Sequence, residues 1–511
     1  MSPPAPFAPD ARRTVIWIGP PAPKPVLTAS CSEQGLELRQ LEPNEVEGLA
    51  PHSRALLMPV ARADAEFMKR ARTAARQCLT HGLHMVLVIA TDAVSPDLPT
   101  EEEIFEYSKA SRRLQAGGLP VRGLNHHWAA VASRLAGLPM EPGENRGLTL
   151  TGADLRDEEK TRLLRRAFYD YRELHLEALD GGKSGARTVR VTEGNVPDPN
   201  RPVVAKVSSP EKIDRERSAY LTIEKKIPPR LYAPLVKERC LSASQHALAV
   251  YRFLELCDPL PDRLGDAGVA FVDQLFSNTL GELHEPQGER AAPIQEIFGD
   301  GGCKLLRWTD DLDAAAAEAR QRDDLLPGPT ELRALIEELP RHAYKSGTVH
   351  GDLHIGNLFV PAGSTEAVII DYGSVESGRP LLVDPACLEV SLVFPPTYLV
   401  PQKPAPRMPF RTLLLSAYRY PLRAGVTKEL RDVVGRSCSL MVRRIREIAR
   451  KVDDNPTGYP ITVAAYLLRY CSYGDNASVA DRSVAYELAA HLFSDAGIAM
   501  HKRRAQRIGG S

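Results

Sequence analysis

The chain has 511 residues, of which 43% are hydrophobic and 25% are charged. This is enough to bury one large two-part domain and one ordinary domain. Lysine plus arginine and aspartate plus glutamate both total 65, so the chain has no global field that would recruit nucleic acid or an anionic membrane.

Cysteine usage and the termini indicate the compartment. The eight cysteines are scattered with no Cys-x-x-Cys pair, which argues against a zinc site and a disulfide framework and suits a reduced cytosol. The proline-rich start, Met1–Pro6, has no apolar signal-peptide core, and no run approaches the roughly 20 apolar residues of a membrane span. We expect a soluble, cytoplasmic protein that binds neither nucleic acid nor membrane.

Residues 1–140 have the alternating strand-like and helical segments of a separate α/β domain. A helical stretch at Asp64–Thr80 is the clearest of several that alternate with short apolar runs. The strand-like runs are 14–18, 36–41, 55–60, 84–89 and 120–124. Such alternation predicts a flavodoxin-like parallel sheet with helices on both faces. The element lengths are similar to those of a response-regulator receiver domain.

The chemistry of a receiver is missing from this domain. A receiver needs acids after its first strand, a phosphoacceptor aspartate after its third, a hydroxyl after its fourth and a lysine after its fifth. Only Thr91 fits. We therefore predict a degenerate sensory or docking module without a phosphoacceptor site, which recruits a protein partner. His126 and His127 are adjacent, so on a helix they would point apart and are not expected to share a metal.

Residues 141–152 have the composition of a linker, and a strand-rich lobe is predicted at 153–255. A helix at about 154–179 leads into a glycine cluster, where missing side chains would let backbone N–H groups approach phosphate oxygens. The cluster comprises Gly181, Gly182, Ser184 and Gly185. A plain turn is the alternative.

Lys206 interrupts the apolar strand-like run Pro202–Val207. A lysine buried there would be costly without an anion, so it should meet nucleotide phosphates or Glu216, which lies in the helical stretch 213–226. Glu211 and Glu224 are competing partners, and an outward lysine on a surface strand is the alternative.

The run 248–254 is predicted to be the strand that enters the hinge between lobes. Tyr251 and Phe253 would lie there, beside an adenine edge.

Two apolar runs frame the most informative motif. Val349–Asn357 reads Val-His-Gly-Asp-Leu-His-Ile-Gly-Asn, and Val-Ile-Ile-Asp follows and ends at Asp371. Magnesium-dependent phosphoryl transfer to a hydroxyl needs a carboxylate for the hydroxyl proton, an amide oxygen for the metal and a second carboxylate that bridges metal and phosphates. Asp352, Asn357 and Asp371 meet these needs in order. A chance Asp/His-rich turn is the alternative.

The motif resembles the catalytic loop of the aminoglycoside phosphotransferase and choline kinase group, within the protein-kinase-like fold. The matching residues are His350, Gly351, Asp352, Leu353, His354 and Asn357. The resemblance implies an α+β bilobal kinase-like domain that uses ATP and Mg²⁺. Its second lobe, at 256–511, would be mostly helical. The resemblance also implies Asp352 as the base in a loop with His350 and Asn357, and Asn357 with Asp371 as metal ligands.

The segment after Asp371 extends the resemblance. Asp384 begins an Asp-Pro-Ala element similar to one that supports the catalytic loop in small-molecule kinases, whereas Glu389 stands where that group usually has another aspartate. The motifs also resemble the bacterial ternary complex associated phosphotransferase-like family of signalling and conflict systems.

Three functions stay open at this point. We predict an ATP-Mg²⁺-dependent phosphotransferase that acts on a hydroxyl of an unidentified acceptor. The alternatives are a nucleotide-binding pseudokinase scaffold and a protein kinase of a complex partner. Helices are expected at 311–322, at 330–345 and from Phe410 onward. The basic run 443–451 is expected to be a helix face.

Overall fold

The computed structural model describes the following residues: 14–18, 25–41, 53–60, 69–74, 78, 84–89, 132, 136, 142–179, 186–194, 202–243, 245–299, 302–395, 409–419, 422 and 428–509. The chain divides into two compact units. The strand-rich unit comprises 1–215 and 234–253, and the helical unit comprises 216–233 and 254–511.

The amino-terminal sheet of the strand-rich unit is fully parallel. Its order is β2-β1-β3-β4, which is how a flavodoxin-like sheet begins. The strands are β1 (Thr14–Ile18), β2 (Glu37–Leu41), β3 (Ser53–Val60) and β4 (His84–Ile89). Helix α1 (Pro25–Glu33) buries Leu27 and Cys31 against Val15 and Trp17 of β1. The predicted α/β parallel sheet is confirmed.

Part of the predicted helix 64–80 is also confirmed. Residues 69–74 and Cys78 are helical, and Ala71, Ala74 and Cys78 are buried. The predicted strand 120–124, Thr91 and the histidine pair lie outside the described residues.

A second sheet of the strand-rich unit has six strands in the order β5-β6-β7-β8-β10-β9. Neighbouring strands are antiparallel except β5 and β6, which are parallel. The strands are β5 (Thr149–Gly152), β6 (Glu173–Ala178), β7 (Arg187–Glu193), β8 (Val203–Ser208), β9 (Leu241–Ser242) and β10 (Ala247–Arg252). Helix α2 (Glu158–Ala167) joins the same hydrophobic core through Leu163 and Leu164.

The helix predicted at about 154–179 is wrong in its second half. Helix α2 ends at Ala167, and β6 follows. Leu174 and Leu176 are buried while His175 and Glu177 are exposed, a period of two that belongs to a strand. Strand β5 pairs with β6, so the sheet already begins within the stretch assigned to the linker, 141–152.

The helical unit contains two small antiparallel sheets. One has the order β11-β14-β15 and the other the order β12-β13-β16. Their strands are β11 (Cys257–Pro259), β12 (Gly288–Ala292), β13 (His342–Val349), β14 (Leu358–Pro361), β15 (Val368–Ile369) and β16 (Glu376–Pro380).

Helices make up most of the other described residues of this unit, and the boundary between the two units falls within α3. They are α3 (Pro210–Lys226), α4 (Leu260–Gln274), α5 (Ile294–Phe298), α6 (Asp310–Arg322), α7 (Pro329–Glu338), α8 (Val383–Val393), α9 (Pro409–Ala417), α10 (Lys428–Val452), α11 (Gly458–Cys471) and α12 (Val479–Gly509). The predicted helix at 311–322 and the predominance of helix after Phe410 are confirmed.

The helix predicted at 330–345 is too long. Helix α7 ends at Glu338, and β13 begins at His342. Pro340 follows one residue after Leu339, and the residue before a proline avoids helical backbone angles. Strand β13 pairs with β12 on one side and β16 on the other.

The basic run 443–451 lies on α10, as expected of a helix face. Arg443 and Arg444 both pair with Glu447, and Arg446 is buried.

None of the described helices combines the length and apolar composition that a bilayer crossing requires.

Candidate active site

The loop between β13 and β14, residues 350–357, carries the motif and is held by one buried carboxylate. Asp384, in the first turn of α8, is fully buried. Its Oδ2 accepts from the backbone N–H of His350 at 2.7 Å, and its Oδ1 accepts from that of Gly351 at 2.8 Å. The supporting role that the resemblance implies for this aspartate is therefore present in the hydrogen bonds.

His284 completes the environment of this carboxylate. Its Nε2 lies 2.8 Å from Asp384 Oδ2, and both side chains are buried. Burial would raise the pKa of the Asp384 carboxyl, but hydrogen bonds and charge from His284 and His350 outweigh it and lower that pKa. An ionised Asp384 has acceptor capacity for all three N–H donors at once.

Gly351 has a backbone that only glycine adopts without strain. Its φ is +79°, and a Cβ there would lie 2.4 Å from the carbonyl oxygen of Ser374. The motif loop therefore contacts the segment after Asp371 at Gly351, where there is no room for a side chain.

We expect Gly351→Ala to lose about 1–3 kcal/mol of stability through backbone strain, with a further loss from the contact with Ser374, and to lower turnover. Gly363→Ala is the matched control, because Gly363 has φ +71° and nothing within 4 Å of the added carbon. It should show strain alone and normal turnover. Urea unfolding midpoints and ADP formation check both. Equal effects of the two substitutions would contradict the importance of this contact.

Asp352 is half-buried between two basic side chains. Arg469, on α11, places Nη2 2.9 Å from Oδ1, and His354 Nε2 lies 3.9 Å from Oδ2. Burial alone would raise the pKa of the Asp352 carboxyl, but Arg469, His354 and His350 outweigh it and lower that pKa to about 2. The carboxylate is ionised, as an acceptor of a hydroxyl proton must be.

Asn357 fixes the far end of the loop. Its Nδ2 donates to the backbone oxygen of Asp352 at 2.9 Å, which leaves Oδ1 as the amide's oxygen ligand atom. Its backbone oxygen accepts from Ile370 N–H, and His350 Nε2 lies 3.0 Å from the Ile370 oxygen. The loop is thus bonded to the residue that precedes Asp371.

Asp371 is exposed and has a left-handed backbone with φ +60°, a conformation that is uncommon for a non-glycine residue and clusters at functional sites. The neighbouring Tyr372 is fully buried, and its hydroxyl lies 2.8 Å from the Ala233 nitrogen. Its ring lies 5.9 Å from that of Tyr220 on α3. Aromatic packing therefore ties the Asp371 segment to α3 within the helical unit.

The helical unit also contains Glu216. It lies on α3 and is 3% exposed, whereas Glu224 of the same unit is exposed. Its charge acts on the Tyr372 hydroxyl, although burial is the larger cause that raises the pKa of that group. Glu216 is therefore close to the segment that carries Asp371.

The strand-rich unit contains the other predicted nucleotide-binding residues. Lys206 lies on β8, paired with Thr188 of β7 and Ala249 of β10, and it is half-buried. Strands β6 and β7, which flank the glycine cluster, form an antiparallel pair. The cluster itself, with Gly181, Gly182, Ser184 and Gly185, lies outside the described residues.

The two residues predicted for the hinge both lie within the strand-rich unit. Tyr251 is buried on β10. Phe253 follows the strand, donates its backbone N–H to Pro202 and carries Arg190 4.6 Å above its ring. The Phe253 amide is therefore already bonded within the sheet.

Two side chains at this site were not predicted from the sequence. His284 lies in a turn after α4 and gives no signal in the sequence. Arg469 is the one charge in the apolar run Tyr459–Cys471, and a lone charge in such a run demands a partner. This lone charge could have identified Arg469 as a candidate site residue from the sequence, but it does not identify the partner of Arg469.

Residues 175–384 match the phosphotransferase enzyme family. Residues 325–458 match ternary complex associated domain 9. The two matches confirm both resemblances that the motifs of residues 350–389 indicated, and with them the kinase-like fold class. No curated protein matches the chain.

Solved structures similar to the chain include a thermostable mutant of aminoglycoside phosphotransferase APH(4)-Ia in its apo form, at 13% identity over 63% of this chain and 94% of that one, with a TM-score of 0.35. Another is aminoglycoside phosphotransferase APH(3'')-Id from Streptomyces rimosus, at 11% identity over 62% and 92%, with a TM-score of 0.28. A glucosamine kinase bound to glucosamine, ADP and inorganic phosphate has 14% identity over 73% and 90%, with a TM-score of 0.32. Similarities this low carry no information about the substrate.

Proposed function

We propose that the protein is an ATP-Mg²⁺-dependent phosphotransferase that acts on a hydroxyl of a small acceptor. The observation that carries the proposal is the motif loop. Asp352 has an ionised carboxylate, its backbone oxygen accepts a hydrogen bond from the Asn357 side-chain amide, and Asp384 fixes the start of the loop. The match of residues 175–384 to a phosphotransferase family supports the same chemistry.

In the proposed reaction, Asp352 orients the acceptor hydroxyl and accepts its proton. The hydroxyl oxygen forms a bond to the γ-phosphorus of ATP, and the bond from that phosphorus to the β–γ bridging oxygen breaks, so that ADP leaves. By the resemblance, Lys206 and the glycine cluster would hold phosphate oxygens, and Tyr251 and Phe253 would lie near the adenine of ATP.

The residues present fit a magnesium ion. Mg²⁺ prefers oxygen ligands and keeps several waters, and Asn357 offers an amide oxygen while Asp371 offers an exposed carboxylate. When bound, the ion would neutralise charge that develops on the transferred phosphoryl group. The roles of these residues rest on their chemistry and on the motif.

The test is nucleotide-dependent thermal stabilisation of the full chain. Lys206→Met should weaken ATP binding with or without magnesium, because a phosphate contact is lost. Asp371→Ala should remove only the additional stabilisation that magnesium gives, because Asp371 is a proposed ligand of that ion. A ligand that binds the folded state stabilises it by an amount that grows with the logarithm of ligand concentration over Kd. Lys225→Met, at an exposed position on α3, is the control. ATP binding unchanged by Lys206→Met would contradict the proposal.

The biological setting is a further part of the proposal. We place the activity in a bacterial signalling or conflict system, on the match to ternary complex associated domain 9. A protein partner bound through residues 1–140 stays a prediction, which co-purification with and without those residues would test.

A further inference from the structure

Arg469 has an unusual position on α11. The helix has fourteen residues, and all of them except Arg469 are buried. The Arg469 side chain is 20% exposed, so its guanidinium emerges from an apolar helix at the edge of the motif loop. A charge in such surroundings needs a partner to offset its desolvation.

Its partner is the carboxylate of Asp352. Nη2 lies 2.9 Å from Oδ1, and within the described parts of the chain no second carboxylate pairs with this guanidinium. A guanidinium has five N–H donors, more than one carboxylate can use. Donors therefore remain for a ligand. The Tyr466 ring lies 5.8 Å from the guanidinium carbon, and the Tyr466 hydroxyl donates to the Gly351 oxygen, so Arg469 is held beside the loop.

A second arginine and a histidine lie near Arg469 and Asp352. The charges of Arg469 and Arg307 both act on Tyr473, and His354 stands on the other side of Asp352. A hydroxyl bound to Asp352 would lie beside the guanidinium, because the Asp352 carboxylate already contacts it. The Asp352 carboxylate offsets the charge of Arg469 at long range, so discrimination would act at contact. A carboxylate or phosphate could take two parallel hydrogen bonds from the remaining guanidinium donors, whereas an ammonium group offers these donors no acceptor.

We propose that Arg469 is the specificity residue for the acceptor, and that the acceptor is a small hydroxyl compound that carries a carboxylate or phosphate near the reacting hydroxyl. This inference rests on the proposed function, because it takes Asp352 as the group that binds the hydroxyl.

The test uses three probes with one polyol chain and different ends: gluconate, glucitol and glucamine. Binding to the full chain is measured by calorimetric titration at constant ionic strength, with ADP and magnesium present. We expect gluconate to bind at least about tenfold more tightly than glucitol, a difference of about 1.4 kcal/mol, and glucamine to bind most weakly. Arg469→Gln should abolish the advantage of gluconate, and Arg469→Lys should keep part of it. Arg333→Gln, at an exposed arginine of α7, should change nothing.

Equal affinity for the three probes, or no binding of any of them, would overturn the proposal. The proposal would also be overturned if Arg469→Gln lowered turnover equally with all three polyols while the unchanged protein showed no preference among them. Arg469 would then only position Asp352. ADP binding is measured in the same samples. If the unchanged protein prefers gluconate but does not bind ADP, the proposed function is overturned instead.

Discussion

Asp352→Asn should lower phosphoryl transfer by at least about 100-fold, the contribution of a positioned general base, while ATP affinity stays close to that of the unchanged protein. The reason is that the carboxylate acts on the hydroxyl proton, which moves only in the reaction, and an amide cannot accept that proton. The measurement is ADP formation from ATP, with water or an identified hydroxyl compound as acceptor, together with ATP binding by calorimetry.

The control is Asp324→Asn, at an exposed aspartate after α6. It should leave both quantities unchanged. A decrease in turnover of less than about tenfold for Asp352→Asn, which is only about 1.4 kcal/mol in the barrier, would exclude Asp352 as the base. Loss of ATP binding and turnover together would instead indicate a damaged loop.

Arg446→Met should destabilise the protein by about 3–5 kcal/mol, the cost of leaving a buried charge without its partner. Arg446 is 3% exposed and Glu389 is fully buried. Arg446 Nη2 lies 2.7 Å from Glu389 Oε1, and the Tyr459 hydroxyl donates to Oε2 at 2.7 Å. The urea midpoint of the full chain measures the effect.

Arg333→Met is the matched control for this second prediction. It breaks an arginine–glutamate pair with Glu337 on the surface of α7, where both side chains are about half exposed. Such pairs contribute at most about 1 kcal/mol. If the two substitutions shift the urea midpoint equally, the buried pair does not stabilise the helical unit as we expect.

The local patterns predicted the class of fold well. The apolar run Thr14–Ile18 forms a parallel strand that is buried along its whole length, and such a strand needs no alternation of polar and apolar residues. The run His84–Ile89 forms another parallel strand. The two helix errors have different origins. Glu173–Ala178 contains good helix-forming residues, but pairing with β5 and β7 overrides weak local propensity. The second predicted helix was continued through Pro340, although the residue before a proline avoids helical backbone angles.

The candidate site was predictable where the chemistry is local. Asp352, Asn357 and Asp371 lie within twenty residues, and their spacing alone specifies a loop and a following strand end. Arg469 and His284 could not be placed, because their contacts with Asp352 and Asp384 span long stretches of chain. Glu389 stands where the small-molecule kinases usually have an aspartate, and the sequence does not explain this difference. The structure does, because Arg446 and Tyr459 contact the Glu389 carboxylate in a buried network.

The attachment of two successive backbone amides to Asp384 has a consequence for the energetics of catalysis. A peptide plane bonded at both neighbouring N–H groups cannot rotate without breaking a buried, charge-assisted hydrogen bond. The loop therefore loses its conformational entropy when the chain folds, and little remains to be lost when a substrate binds. Binding free energy is then left for aligning the hydroxyl with the phosphorus, the step in which positioned groups accelerate a reaction most.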